Sequence, residues 1–212
     1  MNLGLLIILI SLVGYVSNWI NWRFLNYSIV RWLYYLGATV HESSHAVLCI
    51  LTGAKITEFS IFSKQPHVTH YKSRLPILGG ILISIAPIAG GLLFLFLLNK
   101  YFLEINLIIP NLSDWQGILR APLKILAQLN LFSWQGWLLI FISLNIGAMI
   151  SPSWQDLKNI WPLIVILLFF SNSFLTHFGL LAVALIFTNI IIQIILLAII
   201  SAIKLVRFFV VN

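Results

Sequence analysis

The stretch IVRWLYYLGATVHESSHAVLCILT, Ile29–Thr52, decides how this chain is read. It is long and apolar enough for a membrane-spanning helix. Yet it carries His41, Glu42 and His45 near its middle. Residues four apart share one face of a helix, so His41 and His45 offer two imidazoles to one metal ion. Glu42 lies about 100° round from His41, within reach of a water at that metal. The order His-Glu-x-x-His is that of a zinc site with two nitrogen ligands and a carboxylate as general base. Ionisable groups inside a span are costly unless a partner or a cavity compensates them, and a bound cation would do so here. The competing reading is a polar packing patch hydrogen-bonded between helices, which does not require this order or spacing.

Around that stretch the composition is that of an integral membrane protein. Of 212 residues, 61% are hydrophobic and 8% charged, against about 25% charged in a soluble domain. The formal charge of +7 reflects the scarcity of acids. The basic residues are scattered between apolar segments, which argues against nucleic-acid binding. The five acids are Glu42, Glu58, Glu104, Asp114 and Asp156. Glu58, Glu104 and Asp114 fall in connecting regions, whereas Asp156 lies just past the end of a later span. A third, carboxylate ligand for zinc is therefore expected to be Asp156. The lone cysteine, Cys49, precludes an intrachain disulfide and reads as a small buried hydrophobe one turn beyond His45.

Taken in order, the chain is expected to be an all-α membrane domain of about six spans, with a small β-hairpin after the second. Span one is Leu3–Ile20, which lacks a basic n-region and a small-residue cleavage site and is read as retained. An aromatic, basic link with Trp22, Arg23, Arg31 and Trp32 fits an interfacial belt. Span two is Ile29–Thr52, closed by Gly53 as a helix C′ glycine. Residues 55–62 and 67–71 favour strands, with Lys64-Gln65-Pro66 as the turn. Span three, Leu75–Leu98, contains Pro87, which frees a backbone carbonyl in mid-membrane, among small residues that allow close helix approach. Ile118–Phe132 reads as an amphipathic interfacial helix. Span four is Trp134–Ile150. Ser153 is a candidate N-cap with Asp156 three residues on. Spans five and six are placed at Ile160–Phe178 and Gly179–Val206, with Ser171-Asn172-Ser173 interrupting the fifth. Six spans put the termini and the hairpin on one side. Seven basic residues there against five opposite give that side a weak cytoplasmic bias. The whole is read as one domain over residues 1–212, its core at about 29–160, with no segment long enough for a separate substrate-binding module.

These residues resemble the site-2 protease family of intramembrane zinc metalloproteases. His41-Glu42-Ser43-Ser44-His45-Ala46, then Gly53, then Phe59-Ser60-Ile61, is similar to that family's first core helix and following strand. Ala86-Pro87 is similar to its Gly-Pro-x-x-Asn segment, with Gly90 where the Asn would fall. Asn145 through Asp156 is similar to the segment that carries the third ligand, with Leu157 in place of the family's Gly. The chain resembles a divergent member without a PDZ domain. The resemblance implies a multi-pass protein of the cell membrane that hydrolyses membrane-spanning or membrane-proximal peptides. Zn²⁺ would be held by His41, His45 and Asp156, with Glu42 as general base. Asn145 is a candidate donor to the developing oxyanion; an interhelical hydrogen bond is its other reading. His67, His70 and His177 are read as surface or packing residues. Two further classes are a catalytically silent zinc-binding membrane protein, serving as partner or chaperone, and a metal transporter. The intact Glu42 weighs against the first, and the single polar cluster weighs against the second.

Overall fold

The computed structural model describes residues 1–24, 35–63, 66–98, 100–101, 115–127 and 130–211. The helices are α1 (Leu3–Phe24), α2 (Tyr35–Leu51), α3 (Leu78–Leu98), α4 (Trp115–Ala127), α5 (Trp134–Ile150), α6 (Trp154–Leu167) and α7 (Ser173–Val211). Between α2 and α3 the strands β1 (Ile56–Ser60) and β2 (His67–His70) form an antiparallel pair.

Local chemistry sets most of these boundaries. α2 ends at Gly53, whose φ of 70° is the left-handed conformation glycine adopts without a Cβ penalty. The Ala54 amide donates to the Cys49 carbonyl and the Gly53 amide to that of Ile50, the paired bonds of a Schellman C-cap. Ala54 packs on Cys49 and Ile83 in a small cluster, and Cys49 is fully buried, as its reading as a core residue required. The hairpin pairs Phe59 with Val68 and Ser60 with His67, and its register slips between Ile56 and Glu58. Its turn at Lys64 and Gln65, and the aromatic link at 25–34, lie outside the described residues.

α2 packs most extensively on α3 and also on α5; α1 and α6 close the other side, with α7 against α1, α4 and α5. The main core gathers Ile10 of α1, Met149 and Ile150 of α5, Ile160 of α6 and Val183 and Ile186 of α7. Deep between α1 and α7, Ser17 accepts from Asn189 at 2.7 Å and from Gln193 at 3.2 Å, polar contacts of the kind that join helices in lipid.

Among the described residues, three helices are long and apolar enough to cross a membrane: Leu3–Ile20, Leu78–Leu98 and Gly179–Val206. Six spans are thus not confirmed. α2 and α5 have 17 residues each, about 25 Å of helix against a hydrocarbon core of about 30 Å. The expected start of span two, residues 29–34, lies outside the described residues.

Span five is corrected outright. The capping box at Ser153 starts α6 early, and α6 stops at Leu167 after 14 residues, about 21 Å. The Asn172 side chain accepts from the Leu175 amide at 3.0 Å, so the polar interruption is the N-cap of α7, which begins at Ser173 and not at Gly179. α4 is also shorter than expected, ending at Ala127, with Phe132 exposed in the link to α5. Its Ile118, Ala121 and Ile125 are buried in the main core, against α7, while Leu119 and Leu123 face outward.

Candidate metal centre

One turn of α2 brings His41 and His45 together, as the four-residue spacing required. Their Nε2 atoms are 3.3 Å apart. α6 supplies Asp156, whose Oδ2 lies 3.6 Å from His45 Nε2. One donor atom from each of the three residues falls within 4.8 Å of the others; His41 and Asp156 are buried, and the His45 side chain is 11% exposed.

These separations fit a metal. Tetrahedral zinc with bonds of about 2.0–2.2 Å has donors roughly 3.3–3.6 Å apart. Two imidazole nitrogens and a carboxylate oxygen are also the donor types zinc takes. The donor types therefore suit the ion, as do the His41–His45 and His45–Asp156 separations, with the third pair within 4.8 Å.

Each donor is held by its own surroundings. Asp156 occupies the third helical position of α6, and its Oδ2 accepts from the Ser153 amide at 2.8 Å and the Ser153 hydroxyl at 2.6 Å. The Ser153 hydroxyl in turn accepts from the Asp156 amide at 3.2 Å. This reciprocal capping box starts the helix and aims the carboxylate at α2. A carboxylate also suits the positive end of the helix dipole. His45 Nδ1 makes a 2.8 Å hydrogen bond to the Ile83 carbonyl of α3. Hydrogen bonds of this kind orient metal-binding imidazoles.

Glu42 is buried beside the pair at 9% exposure. Strand β2 faces it: the Val68 amide approaches its carboxylate, and His67 lies on the same side. His67 is half-buried: it pairs with Glu58 at 3.4 Å and also lies near enough to Glu42 to interact with it. His70 bonds to the neighbouring Tyr71 carbonyl. Neither joins the His41–His45–Asp156 group.

Asn145 is fully buried, and its side chain ties helices together. Oδ1 accepts from the Gly37 amide near the start of α2 at 3.0 Å, and Nδ2 donates to the Phe141 carbonyl at 2.7 Å. The bond to Gly37 is an interhelical contact of the kind its alternative reading expects, whereas the bond to Phe141 stays within α5.

Two neighbours of the site carry signals that motif reasoning left unused. Gly90 lies flat against Ser44, where any Cβ would collide with the serine side chain. The family's asparagine therefore has no room at position 90. Asn159, one turn beyond Asp156, donates to Ser84 of α3 at 3.0 Å.

No curated protein and no solved structure matches the chain. The family model described as Peptidase M50B-like does match, over residues 8–172. That interval takes in α2, the hairpin, α3 and the capped start of α6, and so every donor of the centre. The chain is a member of the Peptidase M50B-like family, within the site-2 proteases.

Proposed function

We propose that this protein is an intramembrane zinc endopeptidase acting on membrane-spanning or membrane-proximal peptides. The observation that carries the reading is the meeting of His41 and His45 with Asp156, from helices far apart in sequence, with Glu42 buried at their side. A site that only stored a metal has no use for a carboxylate base next to the ligand pair.

His41 and His45 through imidazole nitrogen, and Asp156 through a carboxylate oxygen, would hold the ion, leaving a fourth position open as catalytic zinc sites require. Bound there, zinc would polarise the scissile carbonyl and lower the pKa of water toward about 7. Glu42 takes the proton of the attacking water on its carboxylate and delivers it to the amide nitrogen of the leaving strand.

The depth of the site supports cleavage within the bilayer. α6 runs antiparallel to α1: Gly4 abuts Ile164 and Leu168, and Gly14 abuts Ser151. Asp156 is thus level with the middle of the apolar stretch Leu3–Ile20.

A helical substrate has its carbonyls engaged in its own hydrogen bonds, so the cut segment must be extended. β2 lies beside Glu42, and a hairpin that forms a two-stranded sheet among the described residues suits a substrate added as a further strand.

The test is Glu42→Gln, with mass spectrometry of membrane proteins from cells carrying either form. The variant is expected to keep its zinc and to accumulate uncut precursors, with cleavage lowered roughly 10²–10⁴-fold. Undiminished cleavage would remove Glu42 as the base.

A further inference from the structure

The Ile83 carbonyl holds an unusual position. In an α-helix the carbonyl of residue i accepts from the amide of residue i+4. For Ile83 that residue is Pro87, inside α3, which has no amide hydrogen. The carbonyl is thus released in the buried middle of the helix, where an unmet polar group is expensive.

His45 meets it, with Nδ1 2.8 Å from Ile83 O. A carbonyl can only accept, so Nδ1 carries the hydrogen. Neutral imidazole bears one N–H, which leaves the lone pair on Nε2. That is the atom 3.3 Å from His41 Nε2 and 3.6 Å from Asp156 Oδ2.

The contact depends on close approach of α2 to α3. Gly90 provides it by lying directly on Ser44, the residue before His45. The next residue of α3, Ser84, accepts from Asn159 of α6. A single turn of α3 therefore touches both helices that carry donors.

We infer that Pro87 is a positioning residue of the metal centre: by depriving the Ile83 carbonyl of its helical donor, it holds His45 in the tautomer and orientation that present Nε2 to His41 and Asp156. The inference rests on the metal role proposed above.

The test uses the full chain in lipid nanodiscs, with ¹⁵N-labelled histidine. Two forms are compared with the parent: Pro87→Ala, which restores an amide hydrogen, and the α-hydroxy analogue of alanine at position 87, whose ester linkage lacks both that hydrogen and the proline ring. In the metal-free parent, at a pH high enough for His45 to be neutral, its ¹⁵N shifts are expected to show hydrogen on Nδ1 alone. Pro87→Ala is expected to give mixed tautomers and to weaken zinc binding roughly 10–100-fold in chelator competition, the range for loss of an outer-shell partner. The ester form is expected to recover both properties.

The inference is overturned if Pro87→Ala leaves the His45 tautomer and the zinc affinity unchanged. It is equally overturned if the ester form is as impaired as Pro87→Ala, since the ring and not the missing donor would then matter. A parent chain that binds no zinc would end the proposed function, whereas the tautomer comparison in metal-free protein would still decide the role of Pro87.

Discussion

The two sides of the candidate metal centre are built differently. On α2, His41 and His45 sit together because helix geometry stacks residues four apart, and any continuous helix through this stretch produces the pair. On α6, Asp156 reaches the same point only because Ser153 starts a helix three residues earlier and the packing against α1 and α3 sets that helix's height. One side is fixed locally and the other by tertiary structure. The α6 side should therefore respond to substitutions that touch no ligand, while the α2 side should respond mainly to loss of the imidazoles themselves.

The largest expected effect is loss of a donor from the local side. His41→Ala or His45→Ala should abolish stoichiometric zinc and all cleavage, with helix content by circular dichroism unchanged, because alanine is the strongest helix former. Retention of zinc by either variant would break the comparison at its firmer side.

Next comes the tertiary side. Ser153→Ala removes the hydroxyl's hydrogen bond to the Asp156 carboxylate and the side-chain cap of α6, leaving the backbone amide bond to that carboxylate, without removing a ligand. It should lower thermal stability by about 1 kcal/mol and weaken zinc binding roughly 10–100-fold in chelator competition. The matched change on α2, Ser44→Ala, deletes a hydrogen bond to the helix's own Val40 carbonyl and keeps the Cβ that packs against Gly90. It should leave zinc affinity within a factor of about two, the scale of a surface-like substitution. Equal losses from both serines would mean that the two sides are not built differently.

How far the molecule could be read from its sequence follows the same division. The α5 boundaries, both strands, the Gly53 C-cap and the Ser153 cap are local signals, and each was visible as a residue type in the right place. Asp156 stood out because the chain has so few acids, and the structure brings it beside His45. What stayed out of sight depends on partners remote in sequence. Pro87 announced a freed carbonyl, but nothing in the order of residues tied it to His45. The Ser171-Asn172-Ser173 interruption was visible, but placing the break between α6 and α7 needed the capping bond of Asn172. Gly90 looked like a missing family asparagine until Ser44 was seen against it.

Gly90→Ala sharpens the picture at the contact between α2 and α3. The added methyl meets the Ser44 side chain in a tight contact, and overpacking of this kind costs typically about 1–3 kcal/mol. Thermal unfolding should show that loss, and the double variant Gly90→Ala with Ser44→Gly should recover most of it.

The smallest effect on chemistry is expected from Asn145→Ala. It leaves the buried Gly37 amide without its acceptor, costing about 1–3 kcal/mol of stability. An oxyanion donor would instead cost about 10²–10³-fold in turnover. Turnover per folded molecule lowered less than tenfold would identify Asn145 as a brace between α5 and α2. A loss of a hundredfold or more would restore its catalytic reading.

The most direct measurement of the whole account is zinc content per chain in the purified protein, in Asp156→Ala and in His67→Ala, with X-ray absorption of the bound metal. One zinc with two imidazole nitrogens and a carboxylate oxygen is expected, lost in Asp156→Ala and retained in His67→Ala. Zinc that survives removal of Asp156 but disappears with His67 would contradict a centre made by α2 and α6.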